Sequence, residues 1–404
     1  MDNESDHTIE EAAPESKTGA AEARPPTVLQ VLPTLVTGGV ERGTVDIAEA
    51  IVQAGGRALV VSEGGPMVGE LNRAGAEHFV LPLATKNPFA IYKNIAHLSE
   101  LITREQVDIV HARSRAPAWS AWHAAKRTGR AFITTFHGTY GHTSAAKRWY
   151  NSIMTRGERV IAISDFIGGH VHQVYGVSAA RIRVVHRGID MIRFDAANIN
   201  SERVIHLAEA WRLPDGQPVV MLPGRLTRWK GQSVFIEAVK RLNRPGVQFL
   251  MVGSDQGRYD YRRELEQHIE AEGMTGMIHV IDHCDDMPAA YMLTDVVVSA
   301  STEPEAFGRV VAEAQALGRP VIATDHGGAR ETVIDGETGW LTKPGDADSL
   351  ARAMALALDQ SDEDRQAFAE RSVAHIRKNF SKDRMCAETL EVYEEVLSER
   401  GRTQ

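Results

Sequence analysis

Residues 296–314 read Val296-Val297-Val298-Ser299-Ala300-Ser301-Thr302-Glu303-Pro304-Glu305-Ala306-Phe307-Gly308-Arg309-Val310-Val311-Ala312-Glu313-Ala314. A short apolar, β-branched run gives way to a polar loop with proline and glycine, and then to an alanine-rich segment of helical period, which predicts strand, loop and helix in succession. In an open α/β sheet, the loop that follows a strand lies at the carboxyl edge, where ligands bind.

The same alternation runs through the rest of the chain. Before this stretch, residues 219–222, 248–252 and 278–281 read as strands, and after it residues 320–323 do. The segments 234–242, 261–272, 287–293 and 310–317 read as helices, the last stopped by Gly318 and Pro320. A polar stretch near residues 195–218 precedes this half. In the first half, residues 28–32, 58–61, 78–81, 109–111, 132–135, 159–163 and 182–185 read as strands with amphipathic segments between them. Alternating strands and helices imply βαβ units and parallel sheets. The fold class is therefore α/β, with two Rossmann-like domains. We read residues 1–26 as a disordered acidic tail, 27–200 as the first domain, 201–380 as the second, and 381–404 as a helix; residues 349–396 are almost wholly of helical pattern.

At 404 residues and 43% hydrophobic, the chain can bury two cores of ordinary size. Neither a signal peptide nor an apolar run of about eighteen residues is present, so a cytoplasmic protein is expected. The two cysteines, Cys284 and Cys386, have no metal-type spacing. The net charge of −9 is uneven: residues 27–195 hold 19 Lys+Arg against 13 Asp+Glu, and residues 196–404 hold 24 against 34. A basic first domain suits an anionic partner such as a phosphorylated glycolipid or a membrane surface, and a charge fluctuation without meaning is the competing reading.

Four motifs carry chemistry. Thr37-Gly38-Gly39-Val40 follows the first strand and opens a helix, so the backbone can come close to a ligand and helix amides can face an anion; it lacks the G-x-G-x-x-G fingerprint of dinucleotide binding. Pro223-Gly224-Arg225-Leu226-Thr227-Arg228-Trp229-Lys230-Gly231 places Arg225 and Lys230 on one βα loop, where two cations suit a pyrophosphate. In the opening stretch Glu305 falls in the loop and Glu313 about two turns into the helix, on the order of 12 Å away, too far for the roughly 5–5.5 Å pair of a retaining glycosidase. Glu305 can accept from sugar hydroxyls, Glu313 from ribose hydroxyls, and the amides of Ala306, Phe307 and Gly308 can meet phosphates. Ile133-Thr134-Thr135-Phe136-His137-Gly138 ends a strand on His137, a candidate to orient the acceptor or bond the transferred sugar; His111 is a second candidate. Taken singly, each motif also has a plain structural reading as turn, cap or solvated face.

Asp346-Ala347-Asp348 follows Pro344-Gly345 and opens a helix, so capping explains it better than a metal, and no metal site is expected. Lys147-Arg148-Trp149-Tyr150 is a candidate contact with a membrane surface or a solvated helix face, and no nucleic-acid-binding motif accompanies it.

Together the motifs resemble family 4 of the retaining glycosyltransferases, which has the GT-B fold. The resemblance rests most on Glu305 and Glu313 with seven residues between them, followed by Thr324-Asp325-His326-Gly327-Gly328 and Asp335-Gly336-Glu337-Thr338-Gly339-Trp340-Leu341. It implies a nucleotide-sugar donor, a glycan or glycolipid acceptor, no cofactor, no metal, and a last helix that returns to the first domain. It also implies that Gly38 and Gly39 approach the donor phosphates, that Arg225 and Lys230 neutralise them, and that His137 meets the sugar, Glu305 the hexose and Glu313 the ribose. The Gly-Gly-Val-Glu-Arg, Thr-Phe-His-Gly and Gly-Arg-Leu-Thr-Arg-Trp-Lys-Gly stretches are similar to those of bacterial enzymes of lipopolysaccharide core or surface polysaccharide synthesis. A nucleotide-sugar epimerase on the same fold and a non-catalytic binding protein are the alternatives.

Overall fold

The computed structural model describes residues 24–401; the first 23 residues of the acidic tail lie outside them. The first domain holds β1 (Thr27–Val31), α1 (Gly39–Gln53), β2 (Arg57–Ser62), α2 (Val68–Arg73), β3 (Glu77–Val80), α3 (Pro88–Arg104), β4 (Ile109–Ala112), α4 (Arg115–Thr128), β5 (Ala131–Phe136), α5 (Ala145–Asn151), β6 (Arg159–Ala162), α6 (Asp165–Tyr175) and β7 (Ile182–Val184). The second holds α7 (Ser201–Ala210), β8 (Val219–Pro223), α8 (Gln232–Leu242), β9 (Gln248–Val252), α9 (Tyr259–Ala271), β10 (Ile278–Ile281), α10 (Met287–Met292), β11 (Val296–Ser299), α11 (Arg309–Ala316), β12 (Val321–Thr324), α12 (Ala329–Thr332), β13 (Trp340–Thr342), α13 (Ala347–Leu358) and α14 (Asp362–Asn379), and α15 (Lys382–Gly401) closes the chain.

Both sheets are parallel, in the orders β3-β2-β1-β4-β5-β6-β7 and β10-β9-β8-β11-β12-β13. All five residues of β1, β8 and β9 are buried, as befits strands with helices on both faces. The strand order reverses between β1 and β4 and between β8 and β11, which opens a crevice at the carboxyl edge of each sheet. All twelve expected strands form. The three-residue β13 was not foreseen because Trp340-Leu341-Thr342 is too short to show a period. The polar stretch near residues 195–218 contains α7, which packs on α10 through one face.

The chain passes back to the first domain at Phe380–Ser381, where Ile189 N donates to Phe380 O (2.7 Å) and Lys382 N donates to Ile189 O (2.8 Å). Helix α15 then lies on α1. Glu395 accepts from Arg159 and Arg183, which hold its carboxyl down to about 2. Tyr393 is buried, with its hydroxyl 2.7 Å from His111 Nδ1, while His111 Nε2 meets Thr135 Oγ1 at 2.7 Å. Burial, with Arg113 nearby, pushes the His111 imidazole well below its usual range, so the ring is neutral and both its nitrogens are satisfied. This corrects the expectation for His111, which is an internal pin between sheet and last helix. Tyr393→Phe leaves one buried ring nitrogen unpaired and is expected to cost about 1–3 kcal/mol, read as a lower midpoint in urea.

Candidate active site

At the carboxyl edge of the second sheet, Lys230 Nζ donates to Glu305 Oε1 at 2.6 Å, with the two side chains only 11% and 15% exposed. Ser301 Oγ donates to the same oxygen at 2.6 Å and Ser299 Oγ at 3.4 Å. Burial pushes the Glu305 carboxyl up, but the Lys230 ammonium and the two hydroxyls outweigh it and hold the group below its usual value. Lys230 can reach β11 because Gly231 sits in the left-handed region (φ +77°) with its α-carbon against Ala300; a Cβ there would lie 1.9 Å from Ala300 O.

The loop from Glu305 to Gly308 is held from behind, where Gly328 N donates to Glu305 O at 2.8 Å and Phe307 packs inward at 3% exposure. The amides of Ala306, Phe307 and Gly308 have no acceptor among the described residues. They stand at the N-terminus of α11, where partial positive charge gathers. Helix α11 begins at Arg309, so Glu313 lies little more than one turn inside it, a correction to the two turns expected, since the first four residues of the interval are loop. Glu313 is buried, with Tyr291 donating to Oε2 at 3.0 Å and Arg309 to Oε1 at 2.6 Å.

A cavity of about 630 Å³ lies between the domains, lined by Thr37 and Gly38 from the first and by Arg225, Cys284, Arg309 and Glu313 from the second. That volume is typical of a site for a small organic ligand. The structure therefore brings Gly38, Arg225 and Glu313 around one cavity, while Lys230 and Glu305 form an ion pair of their own outside its lining.

Gly39 and His137 meet through a residue that the sequence reading passed over. Arg187 donates to Gly39 O and, at 2.9 Å, to His137 Nδ1. A Cβ on Gly39 would meet the same guanidinium, so the glycine lets Arg187 lie against the backbone there. Because Nδ1 accepts, the ring proton of His137 sits on Nε2, which is shielded from solvent and without a partner. Burial, then Arg187, pushes the imidazole well below its usual range, so it is neutral. Burial, then Arg309 and Arg113, pushes Arg187 down to about 9. Arg187 has no carboxylate partner among the described residues. Its position after β7, in His186-Arg187-Gly188, was the available signal. Arg309 stood within the quoted motif without an assigned role.

The domains are clamped beside this site. Glu331 of α12 accepts from Asp165 N and Phe166 N at the start of α6, both at 2.8 Å, and lies 2.9 Å from His186 Nε2. Ser164 Oγ donates to Ala306 O at 2.6 Å. Burial pushes His186 down, but Glu331, with Asp165 and Glu388, raises it above its usual value. A raised imidazole stabilises the clamp fully below the free value of 6.5, and the contribution is lost as pH rises through the shifted one. Scattering from the free protein is therefore expected to show a radius of gyration that grows over this interval, and Glu331→Gln should flatten the dependence.

Asp346 caps α13 by accepting from Ser349 N at 2.9 Å, and Asp348 pairs with Arg241 at 2.9 Å. No helix among the described residues is long and apolar enough to cross a membrane.

Two parallel α/β domains with a ligand-sized cavity between their carboxyl edges define the GT-B class. Residues 37–193 match the model of glycosyltransferase family 4, and residues 206–374 that of glycosyl transferases group 1. A solved glycosyltransferase from Rickettsia africae ESF-5 is 36% identical with a TM-score of 0.86, over 92% of this chain and 98% of that one. Anabaena Alr3699/HepE, solved in complex with UDP-glucose, is 26% identical with a TM-score of 0.78, over 91% of this chain and 99% of that one. D-inositol 3-phosphate glycosyltransferase of Xylanimonas cellulosilytica is 29% identical over 309 residues, which are 72% of this chain and 73% of that protein. The chain belongs to glycosyltransferase family 4.

Proposed function

We propose that this glycosyltransferase moves a hexose, with retention and without a metal, from a UDP- or GDP-linked donor to an anionic glycan or glycolipid acceptor of lipopolysaccharide core or surface polysaccharide synthesis, working in the cytoplasm and at its membrane face. The observation that carries the donor reading is Arg187: a half-buried guanidinium held against Gly39 with no ion pair among the described residues, pushed down to about 9, is a charge that an incoming anion would complete. Arg225 and Arg309 line the cleft between the domains, and Arg309 is close enough to Arg187 to press its guanidinium down, so a pyrophosphate there meets positive charge from both domains.

In this reading Glu313 receives the ribose hydroxyls, and Glu305 and the Nε2–H of His137 the sugar hydroxyls. Glu305 and Glu313 are both already hydrogen-bonded, which suits binding better than nucleophilic attack. The acceptor oxygen would attack the anomeric carbon from the face that the phosphate leaves, the bond from carbon to phosphate oxygen would break, and the acceptor proton would pass to that oxygen. The protein then contributes position and stabilisation of charge that grows on the leaving group. The basic first domain supports an anionic acceptor, and the Xylanimonas relative is named for a phosphorylated one.

A thermal-shift screen against UDP, GDP, ADP and their hexose conjugates, in excess chelator, tests the reading. One nucleotide is expected to raise the midpoint by several degrees, and the shift should be clearly smaller in Lys230→Ala at the same nucleotide concentration. A shift that appears only with Mg²⁺ or Mn²⁺ would overturn the metal-free part, and none under either condition the donor site.

A further inference from the structure

A second cavity, of about 600 Å³, opens on the first domain away from the donor cleft. Its walls come from the loop before α3, the start of α4 and the helix α5: Lys86, Ser114, Arg115, Lys147, Tyr150 and Asn151 carry its polar atoms. In a chain of net charge −9, three cations line this cavity and no carboxylate does. Lys86, Arg115 and Lys147 form no ion pair among the described residues. Arg115 is held ready: its guanidinium lies 4.2 Å from the centroid of the Tyr140 ring, and it donates to Asn151 Oδ1 at 3.0 Å, which leaves other donors of the fork unused. The Lys86 ammonium lies 5.8 Å from the Tyr150 ring centroid. Ser114, at the start of the fourteen-residue α4, makes no capping bond, so the first amides of that helix add positive potential to the cations.

We infer that this cavity binds a phosphate group of the acceptor, and that Lys86, Arg115 and Lys147 hold that phosphate while the acceptor hydroxyl extends toward His137. The inference rests on the transfer reading above, since an acceptor presupposes a donor. The placement follows from the chain: His137, Tyr140 and Gly141 leave the same strand, β5, and Tyr140 joins the two places, with its hydroxyl 3.5 Å from His137 N and its ring under Arg115. The phosphate can belong to a soluble acceptor or to a lipid-linked one. Phe89 and Trp149, 87% and 65% exposed, follow Lys86 and Lys147 by three and two residues and provide apolar contact for the lipid case.

The test uses the full chain with the donor cleft filled by the nucleotide that gives the thermal shift, so that added phosphate cannot occupy it. Glycerol 3-phosphate is titrated by calorimetry, and in a second arm the protein is sedimented with phosphatidylcholine vesicles that contain phosphatidic acid. Lys86→Gln/Lys147→Gln alters two exposed side chains and is expected to fold as the natural chain does, to weaken phosphate binding about tenfold or more, and to leave nucleotide affinity unchanged. Arg115→Lys keeps the charge but loses the fork, and is expected to weaken binding by a smaller factor. Binding of glycerol 3-phosphate alone identifies a soluble acceptor, and binding of vesicles alone a lipid-borne one. Equal binding by the double variant, or no binding by the natural chain in either arm, overturns the inference. Failure of every nucleotide to bind sinks instead the donor reading on which it rests.

Discussion

Glu305→Ala and Lys230→Ala are each expected to cut transfer by about 10²–10³-fold, the range for loss of one preorganised donor or acceptor at a reacting centre. The two losses should differ in kind. Without Lys230, burial acts on Glu305 with only Ser301 and Ser299 to oppose it, so the carboxyl titrates upward and loses charge where sugar hydroxyls need an acceptor. The donor phosphates lose a cation as well, so nucleotide affinity should fall about tenfold. Without Glu305, Lys230 is freed toward the phosphates, and nucleotide affinity should stay within a few-fold while turnover collapses. Calorimetry with the nucleotide beside steady-state kinetics separates these outcomes. Wild-type turnover in both variants would remove the pair from the site.

The second large effect concerns Arg187 and His137. Arg187→Met removes a half-buried cation without an ion pair, a gain that offsets the hydrogen bonds lost at His137 Nδ1 and Gly39 O, so the folded chain is expected to stay within about 1 kcal/mol of the natural one while transfer falls about a hundredfold. A large loss of activity with little change in stability is the mark of a group retained for its ligand. His137→Ala should lower turnover about ten- to a hundredfold and leave nucleotide affinity unchanged, because its free Nε2–H is assigned to the sugar and not to the phosphates. A clear loss of stability in Arg187→Met, with donor affinity intact, would make it a structural tie between Gly39 and His137.

Much of this was legible in the sequence for reasons that are local. Val296-Val297-Val298-Ser299 and the alanine-rich run after Gly308 specify strand and helix by period, and Gly38, Gly39 and Gly231 mark places where the backbone must come close to something else. Residue spacing could not reveal that Lys230 and Glu305, seventy-five positions apart, are ion-paired, although the motif order put both on the carboxyl edge of one sheet. The expectation of two helical turns before Glu313 failed because residues 304–308 are loop, fixed by Gly327 and Gly328, which pack against it from the loop between β12 and α12.

Local pattern thus determined two parallel α/β domains and the loops that carry their chemistry, because strand period, helix stops and glycine placement depend on near neighbours. Tertiary structure decided which charges are buried and which are paired. It turned His111 into an internal pin, left Arg187 without an ion pair among the described residues, tied Glu331 across the domains and gathered Lys86, Arg115 and Lys147 around one cavity. Burial and charge pairing arise between residues distant in the chain, and a sequence records no distances in space.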